Sequence, residues 1–283
     1  MFESHETIDR IFINSDSKIA LTDKEGGVRL YCMEDDNDEP SILTSYHDHK
    51  GPVMDIAFSP LTHAFYILAC SYDRSVSLRT REAQVFYYKE DDTTIGFFVS
   101  CCIVKTEGEV LRFLVGSSTG YVLDFDSRNG FIPIKHSLFS ESIVGLGSTD
   151  DNCILICANN NAPRIYTDRS FADFITVASE SQNEKFKFAK FSGDSHEANL
   201  LLVAENGLVE IFRLTREDNI LAKEASFQFQ QKILAVSWNF SRHSANIIIF
   251  NNENTNFQTS IIEENLSNPG NWNIVDTSIE VGE

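Results

Sequence analysis

The chain is 283 residues long and 42% hydrophobic, and it carries 23 Lys and Arg against 42 Asp and Glu, a net charge of −19. That sign excludes direct gripping of a nucleic-acid backbone, which needs a basic surface. No apolar stretch approaches the ~20 residues that span a bilayer, and Met1-Phe2-Glu3-Ser4-His5-Glu6 is not the charged-then-apolar opening of a signal peptide.

The first strand-like run begins near Ile8 and takes in Ile11 and Ile13; Ile19-Ala20-Leu21 follows, then a turn at Gly27, then Val28-Arg29-Leu30-Tyr31. Unit two repeats the plan most clearly. Val53-Met54-Asp55-Ile56-Ala57-Phe58 alternates in part and stops at Ser59-Pro60, a strand followed by a breaker. Ile67-Leu68-Ala69-Cys70 is a continuous apolar run, as expected of a strand buried on both faces. Asp73-Arg74-Ser75 turns the chain into Val76-Ser77-Leu78, and Gln84-Val85-Phe86-Tyr87-Tyr88 reads as an outer strand. Middle runs recur at Phe113-Leu114-Val115, Ile154-Leu155-Ile156, Leu200-Leu201-Leu202 and Ile247-Ile248-Ile249. Unit four places Pro163 where a strand should start, tolerable at a first residue; unit six loosens its turn between Asn251 and Asn256.

The position after each turn falls at Val28, Val76, Val122, Pro163, Val209 and Phe257, with gaps of 48, 46, 41, 46 and 48 residues. A period in the forties with several short strands per unit is the signature of β-propeller blades. The expected fold is all-β: one six-bladed propeller, with blades at approximately 8–46, 53–88, 96–135, 141–178, 186–228 and 233–275. Most propellers close by letting one terminus supply a strand to the blade built from the other. Here the first inner strand begins near Ile8, and the last unit supplies its own outer strand around Trp272-Asn273-Ile274-Val275. Six complete units with no spare strand predict an open ring with exposed apolar faces and sheet edges, a hazard that a partner's strands would cover by β-augmentation. The candidate partner-binding residues are Ile8, Ile11, Ile13, Trp238, Ile261 and Trp272.

Particular residues carry a family resemblance. His49-Lys50-Gly51-Pro52-Val53, followed by Leu68-Ala69-Cys70-Ser71-Tyr72-Asp73-Arg74-Ser75-Val76, resembles the second blade of the Sec-thirteen family, the WD-repeat propeller subunits of the COPII outer coat and the nuclear pore Y-complex. Ser4-His5-Glu6 with Ile8 is similar to that family's opening, Val236-Ser237-Trp238 with Ala245-Asn246-Ile247 to its sixth blade, and Trp272 stands where the family has an aromatic in its closing strand. Met54, Phe58 and Arg79 replace family tryptophans, and blades three to five carry little signature. The resemblance implies an open six-bladed ring completed in trans, between blades one and six, by a blade from an α-solenoid coat protein (Sec-thirty-one-like) or a Y-complex nucleoporin. It implies a non-enzymatic scaffold without cofactors, cytoplasmic and peripheral, on ER-derived vesicles, at the nuclear pore or at both, with no membrane insertion. A Seh-type sister shares most of these residues. The competing reading is a generic WD-repeat adaptor, such as a ubiquitin-ligase substrate receptor.

Enzyme signatures are missing: there is no G-x-S-x-G, H-E-x-x-H or catalytic-Cys pattern. His47-Asp48-His49 lacks a third ligand nearby, Asp35-Asn37-Glu39 lacks a calcium loop's glycine, and Gly116-Ser117-Ser118-Thr119-Gly120 lacks the Lys-Ser/Thr of a phosphate loop. Six scattered cysteines without a CxxC read as buried thiols in a reducing compartment, with adjacent Cys101 and Cys102 pointing to opposite sheet faces. Asp73 reads as a turn residue bonding backbone amides, and Arg74 either pairs nearby or faces a partner.

Overall fold

Short Val/Ile/Leu/Phe runs punctuated by Gly, Asp and Asn fold as strands along the whole chain, because branched and aromatic side chains suit a pleated, half-buried surface. The computed structural model describes residues 8–13, 18–32, 41–59, 65–104, 110–149, 153–168, 170–180, 185–194, 196–215, 217–239, 244–251, 256–265, 267 and 270–277. The acidic run at 34–39, the opening at 4–6 and the loosened turn at 252–255 lie outside them, as do the side chains of Ile13 and Trp238. Among the described residues there are six four-stranded antiparallel sheets, each with its strands in chain order, and no α-helix.

The first sheet is β1 (Ile8–Ile13), β2 (Lys18–Asp23), β3 (Gly27–Cys32) and β4 (Ser41–His47); the second is β5 (Val53–Phe58), β6 (Ile67–Ser71), β7 (Ser75–Arg79) and β8 (Gln84–Lys89). The third is β9 (Phe98–Val104), β10 (Arg112–Ser117), β11 (Tyr121–Asp126) and β12 (Ile134–Ser137). The fourth is β13 (Ile143–Ser148), β14 (Ile154–Ala158), β15 (Arg164–Tyr166) and β16 (Phe174–Thr176). The fifth is β17 (Phe186–Gly193), β18 (Glu197–Ala204), β19 (Leu208–Thr215) and β20 (Ile220–Gln228), and the sixth is β21 (Lys232–Asn239), β22 (Ser244–Asn251), β23 (Asn256–Glu264) and β24 (Trp272–Thr277). The chain divides into two compact units, 1–147 and 148–283.

In the first unit the second sheet shows why its middle strand is apolar from Ile67 to Cys70. Side chains alternate between faces along a strand. Ile67 and Ala69 enter a core with Ala20, Val28, Leu30 and Tyr46 of the first sheet; Leu68 and Cys70 enter another with Phe113, Val115, Leu123 and Phe125 of the third. All five residues of β6 are buried. The large ones, Ile67 and Leu68, each contribute on the order of 1.5–3 kcal/mol relative to exposure. The outer strand β8 alternates: Phe86 packs on Phe113, Phe125 and Phe131, while Val85 and Tyr87 face solvent. Cys101 joins the core with Cys70, and Cys102 is buried outside it, in keeping with opposite faces. The second unit packs in the same way, with Leu201, Val203, Val209 and Ile211 of the fifth sheet against Ile233, Ile262 and Trp272 of the sixth. In the fourth sheet β15 starts directly after Pro163, whose carbonyl accepts a bond from the Val177 N–H at 2.9 Å.

A second device ties the sheets together. The first strand of five sheets carries a one-residue bulge, at Asp9, Met54, Val99, Lys187 and Leu234. A bulge leaves backbone groups unpaired and re-aims the adjoining side chain. In the first unit Arg10, just past its bulge, donates to the freed Met54 carbonyl at 3.2 Å. Asp55, again just past a bulge, accepts from Ser100 Oγ and from the Cys101 N–H, each at 2.9 Å, and Ser100 Oγ accepts in turn from the Leu146 N–H at 3.0 Å. In the second unit the Lys187 ammonium donates to the Ile233 carbonyl. Asp55→Ala leaves the Cys101 N–H and Ser100 without their acceptor, so it should cost about 2–3 kcal/mol. A urea midpoint equal to the parent's would show that this belt does not hold the sheets.

Candidate functional site

Two regions of the first unit concentrate unusual chemistry. One is the connection from β4 to β5, which places His49 beneath the β6–β7 turn. His49 is 0% exposed, with Nδ1 2.6 Å from Ser75 Oγ and Nε2 3.0 Å from Ser77 Oγ. Ser75 Oγ donates to Asp73 Oδ1, so it accepts from Nδ1–H. Burial keeps the imidazole neutral, and its Nε2 then accepts from the Ser77 hydroxyl. Burial pushes the ring's pKa down to about 4 from its ordinary 6.5, with Asp73 and Asp48 opposing. Asp73 also takes the N–H groups of Ser75 at 2.8 Å and Lys50 at 2.7 Å; despite the cost of burial, these bonds hold its carboxyl below the usual range. The set contains Ser, His and Asp, but the Asp sits on a serine rather than on the histidine, and the histidine is sealed from solvent. It clasps a turn and reaches no substrate.

The rest of the His47-Asp48-His49 run diverges. Asp48 accepts both Arg79 bonds, at 2.8 and 3.0 Å, the Arg79 guanidinium lies 4.6 Å over the Tyr46 ring, and His47 faces solvent. Among the described residues no group of three or more His, Cys, Asp or Glu is placed to hold a metal. Arg79 is thus held in an ion pair with Asp48 and stacked on an aromatic ring.

The turn above the clasp has its own peculiarity. Its third residue lies at positive φ in Gly26 (+100), Gly120 (+83) and Gly207 (+86). A Cβ on Gly120 would meet the Phe139 carbonyl oxygen at 2.1 Å, so glycine is required there. In the second sheet the same place holds Arg74 at φ 67, at a cost of roughly 1 kcal/mol or more for a side chain in the left-handed region.

The other region is the face of the first sheet that points away from the second. Phe12, Ala20 and Leu30 pack toward the second sheet; the alternate positions Ile11, Leu21, Ile19 and Tyr31 face the other way. Ile11 is 56% exposed and Ile42, opposite Tyr31, is 63% exposed. Ile8, ahead of the bulge, is 48% exposed.

The predicted site residues therefore separate. Ile8 and Ile11 share the exposed strand β1, whose last residue is Ile13. In the second unit Ile261, opposite Asn246 and Val275, alternates with core residue Ile262 and is half-buried. Trp238 pairs with Ala245, which lies opposite Ile262. Trp272 is 6% exposed: its ring lies in the core between the fifth and sixth sheets, and its indole N–H donates to Glu224 Oε2 at 2.8 Å. Glu224 in turn pairs with Arg213, which holds Glu264 at 2.6 Å. Trp272 serves its own unit. Sequence reasoning missed Ile42; the signal was its place opposite Tyr31, hidden by a bulge between Leu30 and Tyr31.

Comparison with solved structures identifies the architecture. The chain is similar to the β-propeller domain of Cps50 (Swd1) from Myceliophteria thermophila, with a TM-score of 0.73 at 13% identity over 98% of this chain and 87% of that one. It is also similar to Sqt1 of Saccharomyces cerevisiae, with a TM-score of 0.61 at 13% identity over 88% of this chain and 70% of that one. No family model and no curated protein sequence matches the chain. The fold is a β-propeller.

Because His49 is depressed in the folded state, its contribution is complete above about pH 6.5 and is lost as pH falls toward about 4, at up to about 1.4 kcal/mol per pH unit. Urea unfolding of the parent and of His49→Gln at pH 7, 6 and 5 should show a steeper acid loss for the parent. Parallel profiles would exclude His49 as the titrating clasp.

Proposed function

We propose that the chain is a non-catalytic scaffold subunit of a membrane coat, in the COPII vesicle coat, the nuclear pore Y-complex or both. An α-solenoid partner completes it by laying a blade of its own on the outward face of the first sheet. The observation that carries this reading is that each sheet is built from its own consecutive segment. Among the described residues the first sheet takes its strands from 8–47 and the sixth takes its strands from 232–277. Ile11 and Ile42 are left exposed on the first sheet's outward face, on strands β1 and β4, and exposed apolar side chains on a sheet face suit contact with a partner. The resemblance of 49–53 and 68–76 to the second blade of the Sec-thirteen family supports the coat assignment. The one clasp of Ser, His and Asp is sealed, which supports a binding role over a catalytic one. Among the described residues no helix is long and apolar enough to cross a membrane, and a peripheral place in the coat needs none.

Affinity purification of the tagged chain from its own cells, with quantitative mass spectrometry, should recover a large solenoid protein at one-to-one; its companions separate vesicle coat from nuclear pore. Recovery of ubiquitin-ligase subunits, or of no stoichiometric partner, would return the chain to the generic WD-repeat adaptors. Ile11→Glu replaces an exposed residue and should shift stability by only about 0.5 kcal/mol while abolishing recovery of the solenoid. Undiminished recovery with this variant would rule out the first sheet's outward face as the docking surface.

A further inference from the structure

The turn that carries Arg74 does more than reverse the chain. Tyr72, at its start, is 53% exposed, and its ring lies 4.3 Å from that of Phe97, tilted by 33°. Phe97 belongs to the connection from β8 to β9 and is locked by a pair of bonds with Ser118: its N–H donates to Ser118 Oγ at 3.2 Å and its carbonyl accepts the Ser118 N–H at 2.8 Å. The result is a rigid aromatic platform facing water, an expensive way to end a turn unless something covers it.

Two cationic side chains belong to the same turn. The Lys89 ammonium lies on Asp73, which also accepts the main-chain N–H of Lys50, and the carbonyl of Arg74 accepts the Glu90 N–H at 2.9 Å. The nearby carboxylates are engaged elsewhere: Asp73 by Ser75 and Lys50, Glu90 by Tyr88, the Asp92 N–H and Lys135, and Asp92 by Thr94. The Arg74 guanidinium, with five N–H donors, makes only a long 3.5 Å contact to the Asp91 carbonyl among the described residues. The Lys50 ammonium has no partner among them. Donor capacity is thus left over beside an exposed aromatic pair, and Arg74 holds its place where sister turns use glycine.

We propose that the β6–β7 turn and the β8–β9 connection bind an acidic linear peptide, with one apolar side chain on the Tyr72–Phe97 platform and a carboxylate on Arg74. An arginine's planar fork matches a carboxylate through paired bonds. A nucleic acid is the poorer match, because the net charge of −19 repels a long polyanion, whereas a short acidic segment meets only the local cluster. Lys89 and Lys135 balance Asp73 and Glu90, so the opposing charges at the edge of the surface are the Asp91 and Asp92 carboxylates, the latter already near Arg74. This surface shares no residue with the outward face of the first sheet, so the two readings stand or fall separately.

A display library of random dodecapeptides, panned against the full chain with its copurifying partner, provides the probe. Selected sequences should combine Asp or Glu with one apolar residue. Arg74→Gly is the decisive variant, because glycine fits the turn: binding of the best peptide, read by fluorescence anisotropy, should weaken about tenfold or more, while the unfolding midpoint stays level or rises. Tyr72→Ala should weaken binding, Asp91→Asn should tighten it, and Ile11→Glu should leave it unchanged. Basic or neutral selected sequences, acidic peptides that bind Arg74→Gly as tightly as the parent, or no enrichment over bare matrix would each overturn the proposal.

Discussion

An apolar run that places side chains on both faces of its sheet can be stable in water only if both faces are covered. Ile67–Cys70 of β6, with Ile67 and Ala69 on one side and Leu68 and Cys70 on the other, imposes that condition on the second sheet. The fully buried runs β10 and β14 impose it on the third and fourth. Outer strands such as β4 and β8 need only one covered face and alternate accordingly. Sheet-to-sheet stacking therefore follows from the middle strands, and everything at the surface is what this stacking leaves over.

Polar groups then fix how consecutive sheets are set against each other, since apolar packing alone has little direction. Near the first strands, bulges free the Met54 carbonyl and aim Asp55 and Ser100 at the next sheet. At the turn ends, His49 reaches from one connection into the next sheet's serines, and Arg79 reaches back to Asp48. In the second unit Arg213 gathers Glu224 and Glu264, and through Glu224 it anchors Trp272. These bonds link residues far apart in sequence, so each is a condition on tertiary structure rather than on local propensity.

Functional surfaces appear where this system stops short. The outward face of the first sheet keeps the alternation of a buried face but shows Ile11 and Ile42 to solvent. The β6–β7 turn keeps an aromatic where the corresponding turns carry Lys24, Ser118 and Glu205, and an arginine where they carry Gly26, Gly120 and Gly207. Both are places where local rules are broken without a gain inside the chain, and both are read above as places built for contact with another molecule.

The strand runs, the repeat of about forty-odd residues and the all-β propeller fold were legible in the sequence, because periodicity and turn chemistry act over a few neighbouring residues. The start of β15 after Pro163 and the two-sided burial of β6 could be read in the same way. Which side each apolar residue serves was not legible. Trp272 belonged by its position to the closing strand, yet register and its bond to Glu224 turn it into the core, while Ile42, unremarked in a polar outer strand, is among the most exposed residues. A one-residue bulge reverses the facing of all that follows it, and no local pattern announces one. The sequence by itself determined what kind of strands these are and how often they recur; only the tertiary structure decided which residues are left to meet a partner, because facing depends on register and on bonds between residues far apart along the chain.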